Sequence, residues 1–459
     1  MPTIKVVNIT PKALSGDRLL DSEPSLAVNP ENPNEMVATA FTPDPMGGPL
    51  APVYVSADGG NTWVLNSVVP GNGDLGTGDI SAGFGSQGGK LYTGILNGVT
   101  GDMQILRAPR ITAATPMSVL VDRTDEDQPW VVATTVAVNN HSTDRVYVGN
   151  NDASQPAGSA TVDVSSDAGT GPRPAGFAPV RLDRRPGTLF DGPPVRIAAH
   201  PDGTVYIAFQ SVTGTSPGDI FTFDVVVTRD DKGGIGPNPF EDLLDSVDGE
   251  MGQRVVTGRK VRFNSQLRTL GQERTGADLS IAVDPTDSNS VWVAFCDNVG
   301  GNAPTDYVLH VRHSADRGQT WTAPRKDIIN GKNPSLAVNS DGLVGLVHQE
   351  LAHNQWSTVL ELTDDGFKTV DSHVLHQAPG DVPSAGAQLP YLGDYIRMVT
   401  VGKDFYGIFA GNNTPDLANF PVGVTYLRNA NFTTHQLLNL DGVSRVPPSI
   451  DPFFFHRAA

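Results

Sequence analysis

The sequence lacks several features that would quickly assign it to a class. It contains a single cysteine, Cys296, so no disulfide can form within the chain and the redox compartment is left open. No apolar run is long enough to cross a bilayer. Residues 1–6 contain no basic patch leading into an apolar core, which predicts that this chain has no signal peptide. Two localisations stay open: cytoplasmic, or secreted with the signal removed.

Basic residues are also scarce. The 459 residues include 32 Lys and Arg against 50 Asp and Glu, a formal net charge of −18. Nucleic acid is therefore excluded as a predicted partner, because affinity for it depends on Lys and Arg neutralising phosphates. The composition gives no oligomeric state. Gly (49 residues) and Pro (36 residues) make the chain rich in turns but not disordered in composition.

One unit of sequence recurs along the chain. Its clearest copies read Pro-Ser-Leu-Ala-Val-Asn-Pro from Pro24, Leu-Ser-Ile-Ala-Val-Asp-Pro from Leu279 and Pro-Ser-Leu-Ala-Val-Asn from Pro334. Each is followed, after a turn, by a second apolar and β-branched segment, which is typical of a β-hairpin. One looser and three weaker copies complete a set of seven, whose anchor residues are Ser25, Ser81, Trp130, Arg196, Ser280, Ser335 and Arg397.

This repetition predicts an all-β fold, a single β-propeller over residues 1–459. The anchors are about 62 residues apart, which allows one four-stranded blade with long loops per repeat. Seven blades are predicted, with six as the alternative. A long insertion is predicted at about 211–277, with a short helix near 240–244. Residues 4–9 and 450–455 are both candidates for the strand that closes the ring and removes a free sheet edge.

A second motif follows the hairpins. Ser-x-Asp-x-Gly-x-Thr-Trp, the Asp-box pattern, begins at Ser56 and again at Ser314, and degenerate copies begin at Ser165, Thr228 and Thr363. An Asp at a hairpin corner accepts hydrogen bonds from the amides of its own turn, where Gly supplies a positive φ. We therefore predict that Asp58 and Asp316 are structural rather than catalytic.

Propeller geometry predicts where a functional site lies. The starts of the inner strands and the ends of the second strands meet at one mouth of the central channel. Carboxylates and amides suit sugar hydroxyls there, and aromatic rings stack on sugar faces. Arg side chains at this depth require Asp partners or an anionic ligand. The catalytic candidates are Asp127, Asp278, Asp394 and Tyr395, and the substrate-binding candidates are Asp79, Trp130, Arg196, His348, Glu350 and Arg397.

The Asp boxes, the Pro-Ser-Leu-Ala-Val-Asn-Pro strands, the run Asp127-Gln128-Pro129-Trp130 and the run Gly393-Asp394-Tyr395 resemble the sialidase (neuraminidase) superfamily. The resemblance covers nearly the whole chain and implies a propeller whose Asp boxes lie on the outer rim. True sialidases have six blades, an Arg triad, a Tyr–Glu nucleophile pair, an Asp acid/base and an Arg-Ile-Pro motif. Here the nearest match, Arg196-Ile197-Ala198, lacks the Pro, and a third equivalent Arg is missing. The resemblance therefore implies the scaffold and not sialidase activity.

Three functions remain open. The first is a glycoside hydrolase that uses paired carboxylates at the mouth. The second is a polysaccharide lyase in which Tyr395 or His348 removes a proton next to a uronate held by Arg196 and Arg397. The third is a non-catalytic propeller that binds a glycan or a protein. No cofactor is assigned: Asp and Asn oxygens would suit Ca²⁺, but the chain contains no EF-hand spacing and no zinc motif.

Overall fold

The computed structural model describes residues 3–42, 50–70, 77–85, 88–97, 100–138, 141–154, 160–170, 176–187, 194–218, 220–262, 279–298, 307–380 and 392–459. Its regular structure consists almost entirely of β-strands, numbered here in chain order. Strand β1 is Ile4–Asn8. The first blade contains β2 to β5: Ser25–Val28, Met36–Thr39, Leu50–Ser56 and Val64–Pro70. The second contains β6 to β9: Ile80–Phe84, Leu91–Leu96, Met103–Ala108 and Ser118–Arg123.

The next four blades have the same four-stranded order. The third contains β10 to β13: Glu126–Val138, His141–Asp152, Ala160–Ser165 and Ala178–Arg181. The fourth contains β14 to β17: Val195–Ala199, Val205–Ser216, Ile220–Asp230 and Gln253–Arg262. The fifth contains β18 to β21: Leu279–Asp284, Asp287–Asn298, Tyr307–Ser314 and Lys326–Ile329. The sixth contains β22 to β25: Gly331–Val338, Val344–Ala352, Gln355–Thr363 and Asp371–Pro379.

The seventh blade closes the ring with both ends of the chain. Its order is β26-β27-β32-β1-β28, in which β26 is Arg397–Val401, β27 is Asp404–Asn412, β28 is Thr425–Tyr426 and β32 is Ile450–Arg457. Strand β1 pairs antiparallel with β32, so both predicted closing segments contribute a strand. A small sheet lies beside it, formed by β29 to β31 (Ala430–Asn431, Gln436–Leu438 and Arg445–Val446), and Lys12–Leu14 and Leu417–Asn419 form short 3₁₀ helices.

The prediction of a seven-bladed propeller is confirmed: six blades have four strands, and the seventh adds the short parallel strand β28 to its four antiparallel strands. Each inner strand contacts the inner strand of the next blade, and β26 contacts β2, which completes the ring. All seven anchor residues lie in these inner strands. The cores lie between neighbouring blades, where β-branched and aromatic side chains from facing sheets are buried.

The serine of the repeat connects neighbouring blades. Neighbouring inner strands belong to different sheets and share no backbone ladder, and at several boundaries a serine hydroxyl accepts a hydrogen bond from the next inner strand. Ser81 accepts a hydrogen bond from the Val131 amide, and Ser335 accepts one from the Met398 amide. The same bond joins the fifth and sixth blades, from the Leu336 amide to the Ser280 hydroxyl at 2.9 Å.

The predicted insertion at 211–277 coincides with regular structure over part of its length, because β16, β17 and the second half of β15 are strands of the fourth blade. The helix expected near 240–244 is not formed, and that expectation was wrong. Phe240 has a φ of 65° and is fully buried, and its amide donates to the Asp230 carboxylate. The segment is therefore a series of turns held against the blade by Phe240.

The Asp-box sequences fold as tight turns between the third and fourth strands of their blades. The Asp58 carboxylate accepts the Asn61 and Thr62 amides and the Thr62 hydroxyl, the last at 2.6 Å. Asp316 repeats the bonds from Thr320. Burial would raise the pKa of Asp58, but these hydrogen bonds outweigh it and lower the pKa below its ordinary value of 3.8. These corners lie at the end of the blade opposite the starts of the inner strands.

We expect Asp58→Ala and Asp316→Ala each to lower the free energy of unfolding by about 1–3 kcal/mol, because the turn amides lose their acceptor. Urea unfolding measures the change. Asp364→Ala is the matched control, since Asp364 is exposed beside the equivalent turn residue Asp365, which accepts the Lys368 and Thr369 amides. Equal effects of Asp58→Ala and Asp364→Ala would contradict the structural role.

Candidate binding site at the channel mouth

The anchor positions of the seven inner strands form one level of the central channel. Four of them are serines, and the other three are Trp130, Arg196 and Arg397. The Cζ atom of Arg196 lies 4.2 Å from the centroid of the Trp130 ring, and that of Arg397 lies 4.8 Å from it. Both distances suit cation–π contact. We call these three side chains the Arg–Trp layer.

Arg397 connects the seventh blade to the next three. Its Nη1 donates to the Ala82 carbonyl at 2.9 Å and to the Ser25 hydroxyl at 3.3 Å, and its Nη2 donates to the Val131 carbonyl at 2.8 Å. Burial and the neighbouring Arg196 guanidinium lower the pKa of Arg397 to about 10. Within the described residues no carboxylate lies within 4 Å of it. Backbone carbonyls and the Trp130 ring stabilise the charge of Arg397. The sequence had predicted an Asp partner or an anionic ligand instead.

Tyr395 lies on the mouth side of the layer. Its ring meets Trp130 edge-on at 5.6 Å, and its hydroxyl donates to Asp79 Oδ1 at 3.4 Å. The Arg196 Cζ is 5.7 Å from the tyrosine ring. Burial and the charges of Asp79 and Glu23 raise the pKa of Tyr395 well above 10, so the phenol stays protonated at neutral pH.

A carboxylate-rich wall continues from Tyr395. The Asp394 amide donates to Glu23 Oε1 at 3.3 Å, and both side chains are buried. Glu23 has a φ of 54°, and Gly393 leaves no room for a Cβ next to it. The structure thus brings together Asp79, Trp130, Arg196, Asp394, Tyr395 and Arg397 from the predicted set, with Glu23 in addition.

The remaining predicted residues lie elsewhere or outside the described residues. Asp127 is half-buried at the start of β10, opposite Asn151. Asp278 lies outside the described residues. His348 and Glu350 are in β23, and the charges that act on them are those of Lys326 and, for Glu350, also Glu361, rather than those of the Arg–Trp layer. Burial and Lys326 lower the pKa of His348 to about 3, so its imidazole is neutral.

Two charged clusters were missed from the sequence. Arg123 contacts three carboxylates, with Glu126 at 2.5 Å, Asp163 at 2.6 Å and Asp152 at 3.3 Å. Burial raises the pKa of Glu126 to about 8, although Arg123 opposes the shift, because one guanidinium cannot balance three carboxylates. Arg123 and Glu126 lie close to the predicted residue Asp127 in the sequence, which could have drawn attention to them. They were missed because Arg123 ends a strand of the second blade, whereas Glu126 begins the third.

The second cluster lies between the fourth and fifth blades. Asp297, at the end of β19, contacts Arg259 and His310 Nε2, the latter at 3.2 Å, while His310 Nδ1 is 2.6 Å from Asp327. Burial would lower the pKa of His310, but Asp297 and Asp327 outweigh it and raise the pKa above 6.5. Arg254, in the same strand as Arg259, pairs with Asp224, Asp245 and Asp248, so these two arginines are engaged in structural ion pairs.

We expect His310 to make stability depend on pH. A pKa raised by folding contributes stability that is complete below 6.5 and is lost as the pH rises through the folded-state value. The difference in melting temperature between wild type and His310→Gln should therefore be largest near pH 5.5 and shrink by pH 8.5. His353→Gln, at an exposed turn, is the control. A constant difference across this range would contradict the expectation.

Among the described ranges, no group of three or more His, Cys, Asp or Glu side chains is arranged to hold a metal ion. Within the same ranges, no helix has the length and apolar character needed to span a membrane.

No family model matches the sequence, and no curated protein matches it. Solved structures do resemble the fold. A Dyadobacter fermentans protein of unknown function is 12% identical with a TM-score of 0.47, covering 100% of both chains. A Penicillium chrysogenum α-L-arabinanase is 15% identical with a TM-score of 0.43, covering 83% of this chain and 99% of its own. A Ruminococcus gnavus intramolecular trans-sialidase is 10% identical with a TM-score of 0.41, covering 74% and 92%. The propeller assignment rests on the seven sheets themselves.

Proposed function

We propose that the chain is an Asp-box propeller of the sialidase-like type that binds a glycan at the channel mouth. The observation that carries the proposal is the group around Tyr395. Its protonated hydroxyl meets the Asp79 carboxylate at 3.4 Å, and the aromatic face of Trp130 and the Arg196 guanidinium lie against its ring. Carboxylate acceptors, hydroxyl and guanidinium donors and an aromatic ring are the groups that bind hydroxyl-rich ligands.

Hydrolysis is the first activity to test at this site. It requires one carboxylic acid and one carboxylate on either side of the glycosidic bond. Asp79 and Asp394, which lie beside Tyr395, are our candidates for that pair, and Asp127 and Asp278 are kept as candidates from the sequence. The charges of Asp79, Glu23 and Asp394 all act on Tyr395, and the Glu23 carboxylate accepts a hydrogen bond from the Asp394 amide, so several carboxylates meet at this site.

A lyase is less well supported. Tyr395 would have to give up its proton at neutral pH, whereas burial and nearby carboxylates raise its pKa. His348 is neutral but only 2% exposed, and the charge that acts on it is that of Lys326. Binding without catalysis therefore remains the second candidate, because the same donors and acceptors would serve it.

The test uses two conservative changes at the mouth. Tyr395→Phe removes a hydroxyl and keeps the ring against Trp130, and Asp79→Asn removes a charge and keeps the shape. We expect each to weaken glycan binding by about 10- to 100-fold, the loss associated with a hydrogen bond to a charged group. Glycan-array binding measures recognition, and release of reducing ends measures turnover.

Tyr406→Phe is the matched control, because its hydroxyl donates to Asp404 at the same 3.4 Å but at the turn between β26 and β27. This variant should bind like the wild type. Binding that is lost at Tyr395 without any release of reducing ends would assign a binding propeller rather than a hydrolase. A wild-type protein that binds no glycan on the array would overturn the proposal.

A further inference from the structure

Arg123 joins the second blade to the third. It ends β9, the outermost strand of the second blade, and its guanidinium reaches three carboxylates of the third. Glu126 Oε1 lies 2.5 Å from Nη2, Asp163 Oδ1 lies 2.6 Å from Nη1, and Asp152 Oδ2 lies 3.3 Å from Nη2. None of these carboxylate side chains is more than 4% exposed. One guanidinium therefore faces three buried carboxylates at this junction.

Two of the carboxylates have several hydrogen-bond donors. Asp163 receives hydrogen bonds on both oxygens, from Arg123 at 2.6 Å and from Asn150 Nδ2 at 2.8 Å. Burial raises the pKa of Asp163, but these hydrogen bonds and the charge of Arg123 oppose the shift. Asp152 receives the amide and the hydroxyl of Ser154 in addition to Arg123. Both carboxylates are thus provided with donors for their ionised form.

Glu126 has fewer donors. Its Oε1 shares the Arg123 Nη2 group with Asp152, and its Oε2 receives no hydrogen bond from any described residue. An ionised carboxylate buried without donors is costly, so the protonated form is favoured. A proton on Glu126 also leaves two like charges around the guanidinium instead of three. The pKa of Glu126 agrees with this geometry: burial raises it to about 8, Arg123 opposes the shift, and Asp163 and Asp152 add to it.

Glu126 lies where a change of charge acts on the backbone. It is the first residue of β10 and stands directly opposite Asp152 in the ladder with β11. The ladder continues to Asp127 and is then interrupted by a bulge before Trp130. The first two pairs of the ladder can therefore separate without breaking the pairs beyond the bulge. Arg123 is 21% exposed, so solvent reaches the edge of the junction.

We propose that the junction between the second and third blades carries a proton on Glu126, and that loss of this proton at alkaline pH separates the start of β10 from β11. With the proton in place, one guanidinium faces two carboxylates. Without it, a third carboxylate stands opposite Asp152 in the ladder, and like charges in that position destabilise a sheet. This element does not depend on the proposed function, because none of its side chains belongs to the Arg–Trp layer.

Proton release on unfolding tests the protonation. At pH 7 the folded chain holds the Glu126 proton and the unfolded chain does not, since the pKa falls from about 8 to 4.5 on unfolding. Unfolding in urea, followed with a pH-stat, should release about one proton more from wild type than from Glu126→Gln at pH 7, and no more at about pH 9.5. Glu241→Gln, in an exposed pair with Arg184, is the control and should match wild type.

The same change should alter stability. The stability supplied by a raised pKa is complete below the unfolded-state value and is lost as the pH rises through the folded-state value. The melting temperature of wild type should therefore fall relative to that of Glu126→Gln between about pH 5 and pH 8, and the two should run parallel above this range.

Hydrogen exchange locates the effect. Amides at the start of β10 should exchange about tenfold faster in wild type than in Glu126→Gln at about pH 9, and at similar rates at about pH 6. Exchange that is equal at both pH values would overturn the separation of the strands.

Two results would overturn the protonation. The first is equal proton release from wild type and Glu126→Gln. The second is loss of the extra proton in Asp163→Asn but not in Glu126→Gln, because the proton would then belong to Asp163. If Glu126→Gln does not fold, infrared spectra of wild type decide the question. The carbonyl band of protonated carboxyl groups must lose intensity between about pH 6.5 and pH 9.5, and an unchanged band overturns the proposal.

Discussion

The propeller depends on how its inner strands are joined across sheet boundaries. Strands within a blade share a hydrogen-bonded ladder, but neighbouring inner strands do not, so side chains connect them. Ser81, Ser280 and Ser335 each make this connection at one boundary through a hydroxyl. Arg397 provides it at the closure, where its guanidinium reaches the first, second and third blades together. The seventh blade, which completes the ring, is thus connected through Arg397 to three other blades, whereas each serine connects only two.

Closure is reinforced on the outside of the same blade. Asp451 of β32 receives both contacts of Arg428 at 2.8 Å, together with side-chain amides from Asn8 and Asn413. Both members of the ion pair are fully buried, and a buried pair is tolerated only when further hydrogen bonds satisfy its remaining atoms. The Nη2 atom of Arg428 also donates to the Ser15 and Asp17 carbonyls. The two ends of the chain are therefore held by a buried polar network as well as by strand pairing.

The repeats made most of this fold predictable. A strand buried between two blades must be small and apolar, so Pro-Ser-Leu-Ala-Val repeats stand out, and their spacing gives the blade number. Contacts between side chains of different blades could not be predicted in the same way. Trp130, Arg196 and Arg397 share one anchor position, which the sequence does reveal, but their stacking depends on the width of the closed channel. The carboxylates at the starts of the inner strands suggested Asp partners for both arginines. The backbone carbonyls available between inner strands leave no trace in a sequence, and they hold Arg397 instead.

The same geometry explains why one channel has two chemically different ends. Along each inner strand the residues before the anchor face the mouth, and there the chain places Asp79, Asp394 and Tyr395. The residues after the anchor line the rest of the channel, and their described side chains are apolar apart from Thr400. The Arg–Trp layer lies between the two parts, and on the mouth side its Trp130 ring and Arg196 guanidinium lie close to Tyr395. One position of the repeat thus supplies the aromatic and cationic side chains on which the mouth site is built.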